Sequence, residues 1–182
     1  MPYAELHCIS NYSFLRGASH PEELIMQAAN LGYEAIAITD ECTMAGIVKA
    51  HVAAKEYGIK LIIGSEFNLD EDLRLVFLAP NRIGYGQICN LITMARRRAE
   101  KGKYSLALKD LEFATDQCIV IWLPEEPRAH HELLADGLQT LFKDRLWLGL
   151  EIFPNGKAIS CYEHGFKLSQ KLGLPMVATG DV

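Results

Sequence analysis

Short apolar runs alternate with longer segments of helical periodicity along the whole chain. Ala35–Thr39 is a continuous apolar run, typical of a strand covered on both faces in a parallel sheet, and Lys60–Gly64 has the same character. Between them, the pattern over Met44–Tyr57 predicts a helix that ends at Gly58. The alternation of strand and helix therefore predicts an α/β fold.

The same reasoning extends over the rest of the chain. Asp70–Asp72 predicts a turn, so that the strands on either side of it form a hairpin and the strict alternation lapses there. Ser19 is the predicted cap of the first helix, with Pro21 in its first turn and Gly32 after its end. The other predicted strands are Ala4–Ile9, Leu73–Ala79, Cys118–Leu123, Trp147–Phe153 and Pro175–Thr179, and the other helices are Gly84–Ala99, His131–Phe142 and Ile159–Leu172.

Strands interleaved with helices in this way fit either a barrel or a doubly wound open sheet, and periodicity does not choose between them. In both folds, ligands bind outside the carboxyl ends of the strands. Four polar residues fall at such ends: His7, Asp40, Glu66 and Asp181. The sequence therefore predicts that these four polar side chains lie on one rim of the sheet and mark the functional site.

Composition narrows the class of protein. The chain has 182 residues, enough for a single domain, and 18 Lys and Arg against 23 Asp and Glu give a net charge of −5. A duplex-binding module carries a positive excess, so any contact with DNA is local or comes from another part of a longer protein. The five cysteines show no Cys-x-x-Cys spacing, which favours reduced thiols and a cytoplasmic location. The apolar runs are too short for a membrane span, and we expect no membrane partner.

Four segments carry a resemblance to a known family. They are Leu6–Gly17 (LHCISNYSFLRG), Ala35–Glu41 (AIAITDE), Gly58–Phe67 (GIKLIIGSEF) and Val177–Val182 (VATGDV). In this order and spacing they resemble the successive motifs of the PHP (polymerase and histidinol phosphatase) domain at the amino terminus of bacterial C-family DNA polymerases. Three longer runs resemble the error-prone branch of that family more than the main replicative subunit. They are HCISNYSFLRGASHPEEL, ITDECTMAGIVKAH and ARRRAEKGKYSLALKDL.

The resemblance implies a distorted seven-stranded β/α barrel, similar to a TIM barrel, whose strand ends hold divalent metal ions (zinc, manganese or magnesium). It implies that residues 1–182 are a PHP domain from the start of a much longer polymerase chain, cut off before the barrel is complete. In members with an intact metal cluster, the metals support phosphoester hydrolysis or 3′–5′ exonuclease activity. Four residues of this sequence match metal ligands of the family motifs: His7, Asp40, Glu66 and Asp181.

Other positions depart from the family pattern. Ile9 stands at the second histidine of the His-x-His motif, Arg16 at an expected aspartate, and Glu41 at the histidine that follows Asp40. The mid-chain histidine ligands have no convincing equivalent, although the pair at 130–131 lies near one candidate stretch. These losses predict a degenerate metal site, because incomplete ligand sets lose metal affinity steeply.

Two charged residues bear on how such a site is stabilised. Arg16 brings a positive charge close to where cations would bind, and we expect it to pair with Asp40, Glu41 or Glu66 in place of a metal. Glu151 lies within an apolar strand, where an unpaired carboxylate is costly. We expect it to face the rim of the barrel, with Arg16 as its candidate partner.

Two functions remain open. The favoured one is a non-catalytic or weakly catalytic module that supports a DNA polymerase used in damage-tolerant synthesis; the alternative is a residual metal-dependent phosphoesterase or 3′–5′ exonuclease. The expected partners are the remainder of the polymerase chain, DNA through that polymerase, and accessory mutagenesis proteins. The arginine run at the end of the predicted helix is a candidate for contact with nucleic acid or the polymerase body, although a solvated helix end is the favoured explanation: Arg96, Arg97 and Arg98.

Overall fold

The computed structural model describes residues 3–113, 116–124, 131–152 and 158–181, and the structural statements below concern these residues. They form one seven-stranded sheet with helices packed against it. The strands are β1 (Ala4–Glu5), β2 (Ala35–Ile38), β3 (Lys60–Asn68), β4 (Arg74–Ala79), β5 (Ile119–Trp122), β6 (Leu146–Leu150) and β7 (Met176–Ala178). The helices are α1 (Pro21–Asn30), α2 (Ile47–Tyr57), α3 (Arg82–Arg98), α4 (His131–Phe142) and α5 (Ala158–Leu172), with 3₁₀ helices at Leu108–Phe113 and Lys143–Arg145.

The sheet follows the order of the chain from β1 to β7, and β4 runs antiparallel to both of its neighbours while the other pairs are parallel. The sheet curls until its two edges meet at the carboxyl rim. There the N–H of Asp181 donates to the carbonyl of His7 at 3.1 Å. The N–H of Gly180 donates to the carboxylate of Glu5 at 2.9 Å. The curl confirms the barrel-like α/β fold. The antiparallel pairing of β3 with β4 confirms the hairpin predicted at Asp70–Asp72.

Strand β1 is shorter than predicted because side chains take over its backbone hydrogen bonds. After Glu5, the N–H of Cys8 donates to the hydroxyl of Thr39 at 3.1 Å, and the N–H of Ser10 donates to the carboxylate of Asp40 at 2.8 Å. The predicted strand Ala4–Ile9 is therefore wrong in its second half. The irregular backbone that replaces it places His7 at the rim.

Two helices begin later than the sequence suggests. The cap of α1 is His20 and not Ser19, and its N–H donates to the Glu23 carboxylate at 2.8 Å. The Ser19 carbonyl instead accepts from the N–H of Asn11 at 2.9 Å, which ties down the preceding loop. Helix α2 begins at Ile47, because the residues before it form a turn. None of the described helices combines the length and apolar character needed to cross a membrane.

Apolar side chains fill both the barrel interior and the space beneath the helices. The interior layer consists of Ala37, Val76, Leu78, Ile121 and Leu123. This layer lies below the carboxyl rim and separates it from the opposite end of the barrel. At that end, an apolar cavity of about 510 Å³ opens beside the partly exposed Trp147.

Candidate functional site at the carboxyl rim

The carboxyl rim carries a group of charged side chains that we call the rim cluster. Its members are His7, Arg16, Glu41, Glu66, Arg74, Glu151 and Asp181. Most of them lie at or just after the ends of parallel strands, as expected for a β/α barrel. Arg74 opens β4, and because β4 runs antiparallel, its first residue lies at the same rim.

His7 is fully buried between two carboxylates. Its Nε2 is 2.8 Å from Glu66 Oε2, and its Nδ1 is 2.9 Å from Glu151 Oε1. Burial opposes a charged imidazole, but the hydrogen bonds to Glu151 and Glu66 outweigh it and raise the pKa of His7 to about 9. Because ionised carboxylates only accept hydrogen bonds, both ring nitrogens donate, and His7 is an imidazolium cation near neutral pH.

Arg74 contacts three carboxylates at once. Its Nε donates to Glu66 at 3.0 Å, its Nη1 to Glu151 at 2.9 Å and its Nη2 to Asp181 at 2.8 Å. Burial opposes the charge, but these three carboxylates raise the pKa of Arg74 above its ordinary value. The planar guanidinium suits such multiple contacts, and it places a permanent positive charge at the centre of the rim cluster.

Arg16 supplies the second guanidinium and is only half-buried. It donates to both carboxylate oxygens of Glu66, with Nη2 at 3.2 Å from Oε2, and to Glu41 at 2.9 Å. Asp181 lies 3.8 Å from its Nη2. Arg16 therefore pairs with two of its three expected partners, whereas Asp40 binds elsewhere.

Glu66 is the most heavily contacted carboxylate of the rim cluster. It is fully buried and binds all three cations, His7, Arg16 and Arg74. Burial alone would raise its pKa, but the hydrogen bonds from His7 and Arg16 and the charge of Arg74 hold the pKa of Glu66 well below its usual range. Removing one cation would leave part of a buried carboxylate unpaired.

Asp40 lies at the end of β2 but binds serines, not the rim cluster. Its Oδ1 accepts from the Ser10 N–H at 2.8 Å and from the Ser13 hydroxyl at 2.7 Å, and its Oδ2 accepts from the Ser10 hydroxyl at 2.6 Å. Both serines belong to the loop that carries Arg16. Of the four predicted metal ligands, His7, Glu66 and Asp181 come together, and Asp40 fixes this loop.

Glu41 connects the rim cluster to α3. It accepts hydrogen bonds from Arg16 at 2.9 Å, from the Tyr104 hydroxyl at 2.7 Å and from Asn68 at 3.0 Å. Burial raises its pKa, but Arg16, Tyr104 and Asn68 outweigh burial and lower the pKa of Glu41. The guanidinium of Arg96, on α3, lies 5.3 Å from the centre of the Tyr104 ring.

The three arginines at the end of α3 occupy different environments. Arg96 donates to the carbonyl of Cys42 at 3.2 Å, and Arg98 forms an ion pair with Asp110. Arg97 is exposed. A role for this segment in contacts with nucleic acid or with another domain stays a prediction.

Three side chains of the rim cluster could supply ligands to a metal ion. His7, Glu151 and Asp181 each offer one atom, and in the described part of the chain these atoms lie within 4.8 Å of one another. A metal-bound histidine needs a free lone pair, but both nitrogens of His7 face carboxylates. The guanidinium of Arg74 already binds Glu151 and Asp181. As arranged, the residues form a possible ligand group whose donor atoms are taken by internal ion pairs, so they do not fit a metal.

The structure corrects one expectation about the site and adds one residue that the sequence analysis did not name. Glu151 faces the rim, but its partners are His7 and Arg74, so the expected pairing with Arg16 is wrong. Arg74 itself was missed, although the predicted hairpin implies that the first residue of β4 reaches the rim. Ile9 is buried and brings no donor group. The structure does not describe the histidine side chains at 130 and 131.

Comparison with known proteins adds sequence relatives. The family model described as PHP domain matches residues 5–159. An error-prone DNA polymerase of Methylococcus capsulatus is 51% identical over 99% of this chain and 17% of the relative. Those of Dechloromonas aromatica and Saccharophagus degradans are 50% and 46% identical, each over 99% of this chain and 18% of the relative. The chain thus spans less than a fifth of the length of these curated relatives.

Solved structures share the fold at low sequence identity. A protein described as a metal-dependent phosphoesterase from Bifidobacterium adolescentis aligns with a TM-score of 0.65 and 17% identity, over 97% of this chain and 86% of its own. An amidohydrolase from Chromobacterium violaceum, with bound sulfate and no metal, gives a TM-score of 0.71 and 15% identity, over 98% and 86%. At these identities the similarity supports the barrel fold alone.

Proposed function

The chain belongs to the PHP domain family, and we propose that it is the amino-terminal module of an error-prone DNA polymerase and serves that enzyme as a structural support without catalysis of its own. The relatives at about half identity over nearly the whole chain are error-prone DNA polymerases, and the chain matches their PHP region. The polymerase reaction would belong to the remaining four fifths of such a protein.

The rim cluster is the observation that carries the supporting role. Three cations, His7, Arg16 and Arg74, bind the carboxylates at the place where the family holds metal ions. A guanidinium neutralises buried carboxylates but offers no exchangeable coordination position and no bound water to ionise. A barrel stabilised in this way keeps its shape without a metal supply and lacks the group that would generate a nucleophile.

A residual phosphoesterase or 3′–5′ exonuclease is the second candidate. It is favoured by the ligand group of His7, Glu151 and Asp181, whose donor atoms lie within 4.8 Å of one another among the described residues. Zinc, manganese or magnesium binding there would require the group to release Arg74 and His7 to lose a proton.

Metal analysis separates the two functions. Purified protein is dialysed against zinc or manganese, its metal content is measured, and it is then incubated with single-stranded DNA and manganese. The supporting role predicts less than stoichiometric metal and no cleavage above that of the Asp181→Asn variant. One equivalent of metal, together with cleavage that Asp181→Asn abolishes, would establish the enzymatic candidate and overturn the supporting role.

The partners follow from the same proposal. The remainder of the polymerase chain would be the principal partner, DNA would be reached through that chain, and the module would act in the bacterial cytoplasm with it. Binding of accessory mutagenesis proteins is a separate prediction. A pull-down with residues 1–182 alone, compared with the full-length polymerase, tests whether this module binds them.

A further inference from the structure

Two adjacent apolar side chains project from the loop that carries Arg16. Phe14 is 86% exposed and Leu15 is 90% exposed, the highest values for large hydrophobic residues in the described part of the chain. We call this pair the apolar tip. Single exposed apolar residues are common on protein surfaces, but two large neighbours that both point into solvent form a patch suited to a protein contact.

The loop holds the apolar tip in a fixed position. Its backbone is closed by hydrogen bonds from the N–H groups of Arg16 and Gly17 to the Ser13 carbonyl at 3.0 and 3.1 Å. Leu15 has a φ of +65°, a conformation that side-chain-bearing residues seldom adopt. The ion pairs of Arg16 with Glu66 anchor the end of the loop in the rim cluster. The tip is therefore presented by a preorganised loop, which lowers the entropy cost of docking.

We propose that the apolar tip docks into an apolar pocket on the remainder of the same polymerase chain, a proposal that rests on the proposed function. More than four fifths of the length of the relatives lies outside the region that this chain matches, so each carries a large partner surface on the same polypeptide. Two anchoring side chains suffice in that arrangement, because covalent connection makes docking intramolecular at high effective concentration.

The charge around the tip argues against DNA as its occupant. The rim cluster next to the loop pairs three cations with four carboxylates and so has no positive excess, and the whole chain has a net charge of −5. A surface that binds nucleic acid neutralises phosphates with an excess of Lys and Arg. An apolar protein pocket suits the tip better than a phosphate backbone.

Photocrosslinking in the full-length polymerase tests the proposal. Phe14 is replaced by p-benzoylphenylalanine, and the matched control carries the same replacement at Val48, which is 73% exposed on α2. Irradiation followed by peptide mass spectrometry is expected to join position 14, but not position 48, to one peptide beyond residue 182. Crosslinks from position 14 only to residues 1–182, to added DNA or to a second copy would overturn the proposal, as would a yield equal to that of the control.

A second measurement uses milder changes at the tip. The Phe14→Ser/Leu15→Ser variant of the full-length polymerase is expected to expose the junction after the module to trypsin several-fold faster than Val48→Ser does, because docking no longer protects it. Equal cleavage rates would contradict the docking. The metal and cleavage assays on residues 1–182 keep the two proposals apart. One equivalent of metal, with cleavage that Asp181→Asn abolishes, refutes the supporting role, whereas a missing crosslink without these results refutes only the tip.

Discussion

Replacing Arg74 by methionine removes the cation that holds three carboxylates together. Arg74 is 8% exposed, and its partners Glu66, Glu151 and Asp181 have side-chain exposures of 0%, 10% and 25%. Methionine retains much of the buried volume, so the loss is mainly electrostatic. Removing one partner of a buried ion pair costs about 3–5 kcal/mol, and we expect the free energy of unfolding to fall by that amount. The partly exposed Asp181 recovers some hydration, which makes the lower half of the range the better expectation.

Denaturant unfolding followed by circular dichroism measures this loss. The matched control is Arg98→Met, which removes another arginine–carboxylate pair but one whose arginine side chain is 39% exposed. Because ion pairs of exposed side chains contribute little to stability, the control should unfold nearly like the wild type. A double-mutant cycle with Glu151→Gln should show coupling, since Arg74 and Glu151 are in direct contact. Equal stabilities of the Arg74 and Arg98 variants would refute the central role of Arg74.

Two further predictions concern pH and the Arg16 loop. The pKa of His7 is raised from 6.5 to about 9, so its stabilisation, about 3 kcal/mol at most, is fully present below pH 6.5 and lost as the pH rises through 9. The free energy of unfolding should decline across this pH window in the wild type and in the control His51→Gln, but not in His7→Gln. A decline that persists in His7→Gln would show that another group causes it. In Gly17→Ala, the added Cβ would lie 2.0 Å from the Ser10 carbonyl oxygen, and we expect a loss of about 1–3 kcal/mol in unfolding experiments. The control is Gly86→Ala on α3, whose added Cβ meets nothing within 4 Å, and its free energy of unfolding should rise by about 0.5–1 kcal/mol. Equal effects of the two changes would contradict the role of the close backbone approach at Gly17.

Local signals in the sequence were sufficient for the order of strands and helices, whereas the choice of a barrel over an open sheet depended on the family resemblance. The buried run at β2 and the hairpin turn at Asp70–Asp72 depend on near neighbours in the chain, and both predictions are confirmed. The convergence of His7, Glu66 and Asp181 also followed, since parallel strands place their carboxyl ends on one rim. These features need only strand direction and periodicity.

The missed features depend on tertiary contacts or on strand reversal. A search of carboxyl ends overlooks Arg74, because the antiparallel β4 brings its amino end to the rim. Strand β1 ends early because Thr39 and Asp40 supply partners from another segment, which no local pattern reveals. The partners of Glu151, His7 and Arg74, lie far from it in sequence. The cost of burying a carboxylate therefore predicted that Glu151 has a partner, but not which residue it is.

The arginine-filled site leads to a last prediction, that restoring one missing ligand does not restore metal binding. Ile9→His returns the second histidine of the family motif, yet both nitrogens of His7 still donate to carboxylates, and Arg16 and Arg74 still neutralise Glu66. One new lone pair does not displace two covalently held cations whose charges the carboxylates already satisfy. After dialysis against zinc, Ile9→His should therefore contain less than one equivalent, and its melting temperature should not respond to added zinc. A stoichiometric zinc content in this single variant would show that the arginines yield to a metal, and that the missing ligands alone limit its affinity.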